Sequence, residues 1–232
     1  MASIPENILQ VHARIATACE AYARVPGSVN LLAVSKTCPG VSVREAFNVG
    51  QRNFGENYVQ EALAKIAELD DLRGELRWHL IGPLQSNKTR DVAAAFDWVH
   101  SIDRAKLAER LSAQRPEGLP PLQVCLQVNI SGEDTKSGVA PADVPALARL
   151  VAGLPRLRLR GLMAIPEPAA DLERQRAPHR ALRELLDELN AQGFGLDTLS
   201  MGMSADLEAA VAEGATWVRI GTAIFGARPR KE

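Results

Sequence analysis

Only six of the 27 basic residues in this 232-residue chain are lysines, and Lys36 stands where an amine could act as a nucleophile. It closes the apolar run Leu31, Leu32, Ala33, Val34. A low-dielectric wall disfavours an ammonium and lowers its pKa, the condition under which a lysine forms a Schiff base. A solvated lysine at a strand end is the plain alternative. Ser200-Met201-Gly202 and Gly221-Thr222 suggest a second chemistry, phosphate binding. Glycine admits close backbone approach, and hydroxyls and free N–H groups favour an anion. Ser204-Ala205-Asp206 also reads as an ordinary helix N-cap. Arg219 lies between Val218 and Ile220, so alternation puts Trp217 and Arg219 on one face and their neighbours on the other. A buried arginine needs a partner. The candidates are an acid such as Glu56 or a bound heteroatom.

Other chemistries fit less well. GPLQSNKT at 82–89 approaches the phosphate loop GxxxxGK[ST], but Asn87 replaces the second glycine and Pro83 removes a backbone N–H. Asn87 as a helix N-cap beside a solvated Lys88 is the plainer reading. His79, inside an apolar run, reads as a core or stacking histidine. His12, His100 and His179 show no metal-ligand spacing, and no Ser-His-Asp or Cys-His signature is present. Cys19, Cys38 and Cys125 are odd in number with no CxxC, which implies reduced thiols, a cytoplasmic setting and no metal site.

The elements that must position these residues alternate. Strand-like runs at 30–35, 53–56, 78–82, 98–102, 122–130, 157–165, 198–201 and 217–221 are separated by helical patterns. The helices fall at 41–49, 58–69, 88–96, 105–114, 144–152, 176–192 and 205–213, after an N-terminal amphipathic stretch at 4–24. Residues 132–138 and 166–178 are the least regular. This order predicts an α/β protein: one (β/α)₈ TIM-like barrel over 29–226 preceded by a helix within 1–26, all one domain. A doubly wound open sheet is the runner-up. In a barrel, chemistry gathers at the C-terminal ends of the strands, and Lys36, Glu56, Asn57, Asn129, Ser200 and Gly221-Thr222 all fall there. The helix at 4–24 is expected to cover the base of its own barrel, leaving a monomer.

Charge and hydropathy exclude other classes. With 27 basic and 28 acidic residues, the chain lacks the basic excess of a nucleic-acid partner. No stretch approaches the ~18 apolar residues of a membrane span, and the N-terminus shows no signal peptide.

Seven collinear motifs carry a resemblance. They are LLAVSKTCPG at 31–40, FGENYVQEALAK at 54–65, WHLIGPLQSNK at 78–88, VNISGEDTKSGV at 128–139, GLMAIP at 161–166, LSMGMSADLEAAV at 199–211 and VRIGTAIFG at 218–226. Across essentially its whole length the chain resembles the pyridoxal-phosphate homeostasis protein family. That resemblance implies the barrel of fold type III proteins, as in the barrel domain of alanine racemase, with pyridoxal 5′-phosphate (PLP) as cofactor. It further implies a Schiff base at Lys36, Asn57 beside the cofactor, Ser200, Gly221 and Thr222 at the phosphate, and Arg219 at the pyridine nitrogen. Cys38 stands where the family usually has a second lysine, so any role of that lysine is absent or moved. The implied function is PLP binding, storage and delivery to apo-enzymes without robust turnover. A racemase-like enzyme is the alternative, but it needs a second acid/base, typically a tyrosine from a second domain, and the chain's length leaves no room for one. Lys136, in the loop after the fifth strand, is a candidate transient acceptor of PLP, or a solvated loop lysine.

Overall fold

The computed structural model of the chain describes residues 3–132 and 137–226. Eight parallel strands close into a barrel in sequence order: β1 (Asn30–Val34), β2 (Asn53–Glu56), β3 (Arg77–Leu80), β4 (Trp98–Ile102), β5 (Leu122–Gln127), β6 (Leu157–Met163), β7 (Thr198–Ser200) and β8 (Trp217–Ile220). Helices α1 (Ile4–Ala21), α2 (Gly40–Asn48), α3 (Val59–Glu68), α4 (Thr89–Ala95) and α5 (Ala105–Gln114) belong to its first half. Helices α6 (Val144–Ala152), α7 (Leu172–Ala191), α8 (Leu207–Ala212) and α9 (Thr222–Phe225) complete the described set. Closure pairs β1 with β8 in a register that sets Leu32 beside Arg219.

Period-two alternation divides the strands. Leu31 and Ala33 of β1 face the helices and join the main core, whereas Leu32 and Val34 point into the barrel with Ile81 and Trp217. Lys36 continues the inward set. The interior also carries Trp98, Cys125 and Met163.

Several local expectations change. Helix α7 starts at Leu172, because the Asp171 side chain caps it by accepting from the Arg174 N–H, and Pro178 is accommodated within the helix. Asn87 is not a cap: a 3₁₀ turn at Ser86–Lys88 precedes α4, and Lys88 is half-buried. Asp206, not Ser204, caps α8, and its carboxylate accepts from the Met203 N–H.

Helix α1 does not cover the barrel base. Its buried face, Ile8, Val11, Ile15, Ala18 and Cys19, belongs to the outer layer with α2, α8 and α9. Asn7 reaches the Ile224 carbonyl at the end bearing the C-termini of the strands, and Arg24 reaches Val211 and Ala215 at the other. With six residues in α8 and four in α9, the β8–β1 seam is poorly covered by its own helices, and α1 fills the gap. Ser3 and Glu6 form a capping box that fixes where α1 begins.

Candidate functional site

A cavity of about 290 Å³ opens at the C-terminal ends of the strands. Lys36, Asn57, Arg219, Gly221 and Thr222 all line it, with Cys38 and Ser204. The strand-end rule for barrels thus brings five expected residues together. Apolar walls come from Val34, Ile81 and Ile165.

Each polar group has a local reason for its place. Lys36 is half-buried just past β1. Asn57 follows β2, and its Oδ1 is buried without a hydrogen-bond partner among the described residues. Its backbone lies so close to Gly82 that a Cβ there would stand 2.2 Å from the Asn57 carbonyl oxygen, which explains the glycine after β3. Gly202 has φ of 88° and would drive a Cβ into Ala210 at 2.4 Å, so the loop after β7 also requires glycine. That loop is held by Asp206, which His179 contacts at 2.9 Å, and by Arg14, which donates to the Ser204 carbonyl at 2.8 Å.

Arg219 is 4% exposed and forms the cavity floor. Its partner is not Glu56: Nη1 donates to Ser200 Oγ at 2.9 Å and Nη2 to the Ala164 carbonyl at 2.8 Å. Burial brings its pKa down to about 10, with Asp206 opposing, so it remains a cation at neutral pH. Ser200 is fully buried beneath the floor, between Arg219 and His100, and is not among the cavity-lining residues; the lining hydroxyl from that loop is Ser204. His100 continues to His79, and His79 to Asn53. His79 also stacks on Trp98 at 5.3 Å, the stacking role expected of it. Burial pushes His100 down to about 3, with the Arg219 cation adding to the shift, and burial holds His79 well below its ordinary value.

A second buried cluster was not foreseen. Lys65, which falls within the helical pattern at 58–69, is 4% exposed and bonded to Glu56 at 2.6 Å. The Glu61–Lys65 spacing of four was a readable signal; the contact with β2 was not. Burial raises the Glu56 carboxyl above its usual range, with Lys65 opposing. Lys136 lies outside the described residues. Among the described residues no group of three or more metal-ligating side chains occurs, and no helix is long and apolar enough to cross a membrane.

A closed parallel barrel with a lysine after β1 and an arginine in β8 on one cavity places the chain in the alanine racemase barrel class; the family model "Alanine racemase, N-terminal domain" matches residues 12–229. A solved alanine racemase from Corynebacterium glutamicum shares the fold, at a TM-score of 0.64 and 19% identity over 95% of this chain and 62% of its own. More particularly, the chain belongs to the pyridoxal phosphate homeostasis protein family. The Pseudomonas aeruginosa protein of that name is 66% identical over 228 residues, 98% of this chain and 97% of the relative. PipY of Synechococcus elongatus PCC7942, solved with PLP bound, is 44% identical with a TM-score of 0.79, over 91% of this chain and all of PipY.

Proposed function

We propose that this chain binds PLP reversibly, stores it and delivers it to apo-enzymes, without sustained amino-acid turnover. The observation that carries the reading is the placement of Lys36 and Arg219 on one cavity at the strand ends. The donor set fits the group: an amine for an aldehyde, a buried cation, hydroxyls for a phosphate, and an orphaned acceptor on Asn57. When bound, PLP supplies an aldehyde that condenses with an amine, losing one water, and an electron-withdrawing ring.

Lys36 is the residue assigned to the Schiff base. Thr222 and Ser204 are assigned to the phosphate, Gly221 giving it close access to the backbone, and Asn57 lies beside the ring. Arg219 is assigned to the ring nitrogen. A guanidinium only donates and stays charged, so it disfavours a proton on that nitrogen and weakens the ring as an electron sink. Ser200 acts from below by orienting Arg219.

Two placements support storage over racemisation. Tyr58 is 58% exposed, Tyr22 ends α1, and neither lines the cavity, so no tyrosine stands ready as a second acid/base. The name borne by the relatives points the same way. A monomer, supported by the use of α1's apolar face within its own chain, and a cytoplasmic setting complete the proposal.

The test is the visible spectrum of the purified protein after incubation with PLP, followed by borohydride reduction and peptide mapping. The expected result is an absorbing species and a reduced adduct on Lys36. A protein that stays colourless overturns PLP binding, and an adduct mapped elsewhere overturns the site. Exchange of an amino acid's α-hydrogen in deuterated water, beyond the rate with free PLP, would overturn the non-catalytic part.

A further inference from the structure

Lys65 takes no part in the cavity wall, yet its ammonium is buried among three acceptors. It donates to the Ser35 carbonyl at 2.8 Å, to Glu56 Oε1 at 2.6 Å and to Glu61 Oε1 at 3.3 Å. Both carboxylate oxygens are shared with the backbone segment beside them. Glu56 Oε1 also accepts the Ser35 hydroxyl at 2.6 Å, and Glu61 Oε1 accepts the Thr37 N–H. Ser35 and Thr37 are the two chain neighbours of Lys36, so the cluster grips the backbone on both sides of that residue.

Thr37 adds an independent observation. Its φ of 64° lies in the left-handed region, which is costly for a β-branched residue. Such a conformation persists only where the surroundings over-determine it, and these outliers gather at functional sites. Here the carboxylate of Glu61 holds the strained N–H. A buried lysine between two carboxylates is also an unfavourable way merely to pin a helix to a strand, because apolar residues of similar volume do so at least as well. What the charges add is direction.

Building on the reading of Lys36 as the residue that condenses with PLP, we propose that Lys65, with Glu56 and Glu61, is a positioning group. It fixes the turn at 35–37 and aims the Lys36 amine into the cavity. The condensation needs the amine within bonding reach of the aldehyde carbon, and small misplacements of a reacting atom are expensive in rate. Binding through the phosphate loops is independent of that aim.

The two contributions can be measured apart. Pyridoxine 5′-phosphate has the ring and phosphate but no aldehyde, so calorimetry with it reports non-covalent affinity alone. Borohydride trapping at timed intervals after mixing with PLP reports the rate of condensation. The variants are Glu61→Ala, which removes the Thr37 tether at a partly exposed position, and Glu56→Gln/Lys65→Met, which removes both buried charges together. For variants that melt cooperatively, the expected result is condensation slowed by about tenfold or more, with affinity for pyridoxine 5′-phosphate unchanged within about twofold. Trapping at the wild-type rate in Glu61→Ala overturns the proposal, whether or not the double variant folds. Equal losses in both measurements also overturn it, since a merely structural role moves both. If the wild-type protein yields no adduct on Lys36, the functional reading itself has failed. A Lys36 adduct formed at unchanged rate in the variants condemns only the positioning role.

Discussion

Arg219 Nη1 donates to Ser200 Oγ at 2.9 Å, and this bond gives direction to a polar chain running through the barrel. His100 Nδ1 lies 2.8 Å from the same oxygen, His100 Nε2 lies 3.0 Å from His79 Nδ1, and His79 Nε2 lies 3.2 Å from Asn53 Oδ1. A guanidinium cannot accept, so Ser200 accepts from it. With Asn53 Oδ1 accepting at the far end, one polarity satisfies every member. Ser200 donates to His100, His100 to His79, and both imidazoles carry their proton on Nε2.

Ser200→Ala should therefore disturb more than one bond. It leaves Arg219 Nη1 and His100 Nδ1 without their shared partner, at a cost of about 1–3 kcal/mol in unfolding free energy. Nitrogen NMR of the imidazoles should show Nε2–H tautomers for His79 and His100 in the parent protein and in the variant, because Asn53 Oδ1 can only accept and fixes the direction from the far end. An Nδ1–H tautomer at either ring of the parent protein would contradict the assigned polarity.

The same two rings make stability depend on pH. Both are held neutral in the fold, below the ordinary value of 6.5, whereas the unfolded chain takes up protons near that value. The unfolded state thus binds more protons below pH 6.5. The stability tied to these rings is complete above that pH and drains as pH falls below it, for His100 down to about 3, by up to about 1.4 kcal/mol per pH unit for each ring. Urea unfolding at pH 7, 6 and 5 should show the loss, and His100→Gln should reduce its slope by close to one proton.

Gly202→Ala combines a positive φ with a clash against Ala210. The loop after β7 must shift, and strain of this kind costs about 1–3 kcal/mol. Because Ser204 follows in the same loop, affinity for inorganic phosphate or PLP should fall together with the melting temperature. A variant that melts early but binds normally would detach the loop from the site.

Arg14→Ala tests reach from the outer layer. Arg14 pairs with Glu208 at 2.6 Å with both side chains about 40% exposed, so the pair itself is worth roughly 0.2–1 kcal/mol. Its bond to the Ser204 carbonyl touches the cavity wall. The expected outcome is a small change in stability with a several-fold weaker retention of PLP in equilibrium dialysis.

Much of this was legible in the chain. The eight strands show as apolar runs bounded by turn residues, and alternation puts Arg219 and Trp217 on one face, which the structure turns inward. Lys36, Asn57, Gly221 and Thr222 could be placed because each stands one or two residues past a strand. Ser200 could not, because β7 is three residues long and ends on it, so a shift of one residue decides between rim and floor. Lys65 was hidden by its helix, since burial there depends on how α3 lies against β2. Helix α9 has four residues, too few to show any periodicity.

The seam that joins β1 to β8 brings the first and last parts of the chain together, with α1 laid against α8 and α9. On the ribosome these partners are separated by the synthesis of β1 through β7. At about 5–20 residues per second, the apolar stripe of Ile8, Val11 and Ile15 waits roughly 10–40 s for the elements that cover it. The apolar face of α1 therefore stays uncovered until α8 and α9 emerge, and a circular permutant starting after α1 should shorten that exposure and aggregate less during synthesis.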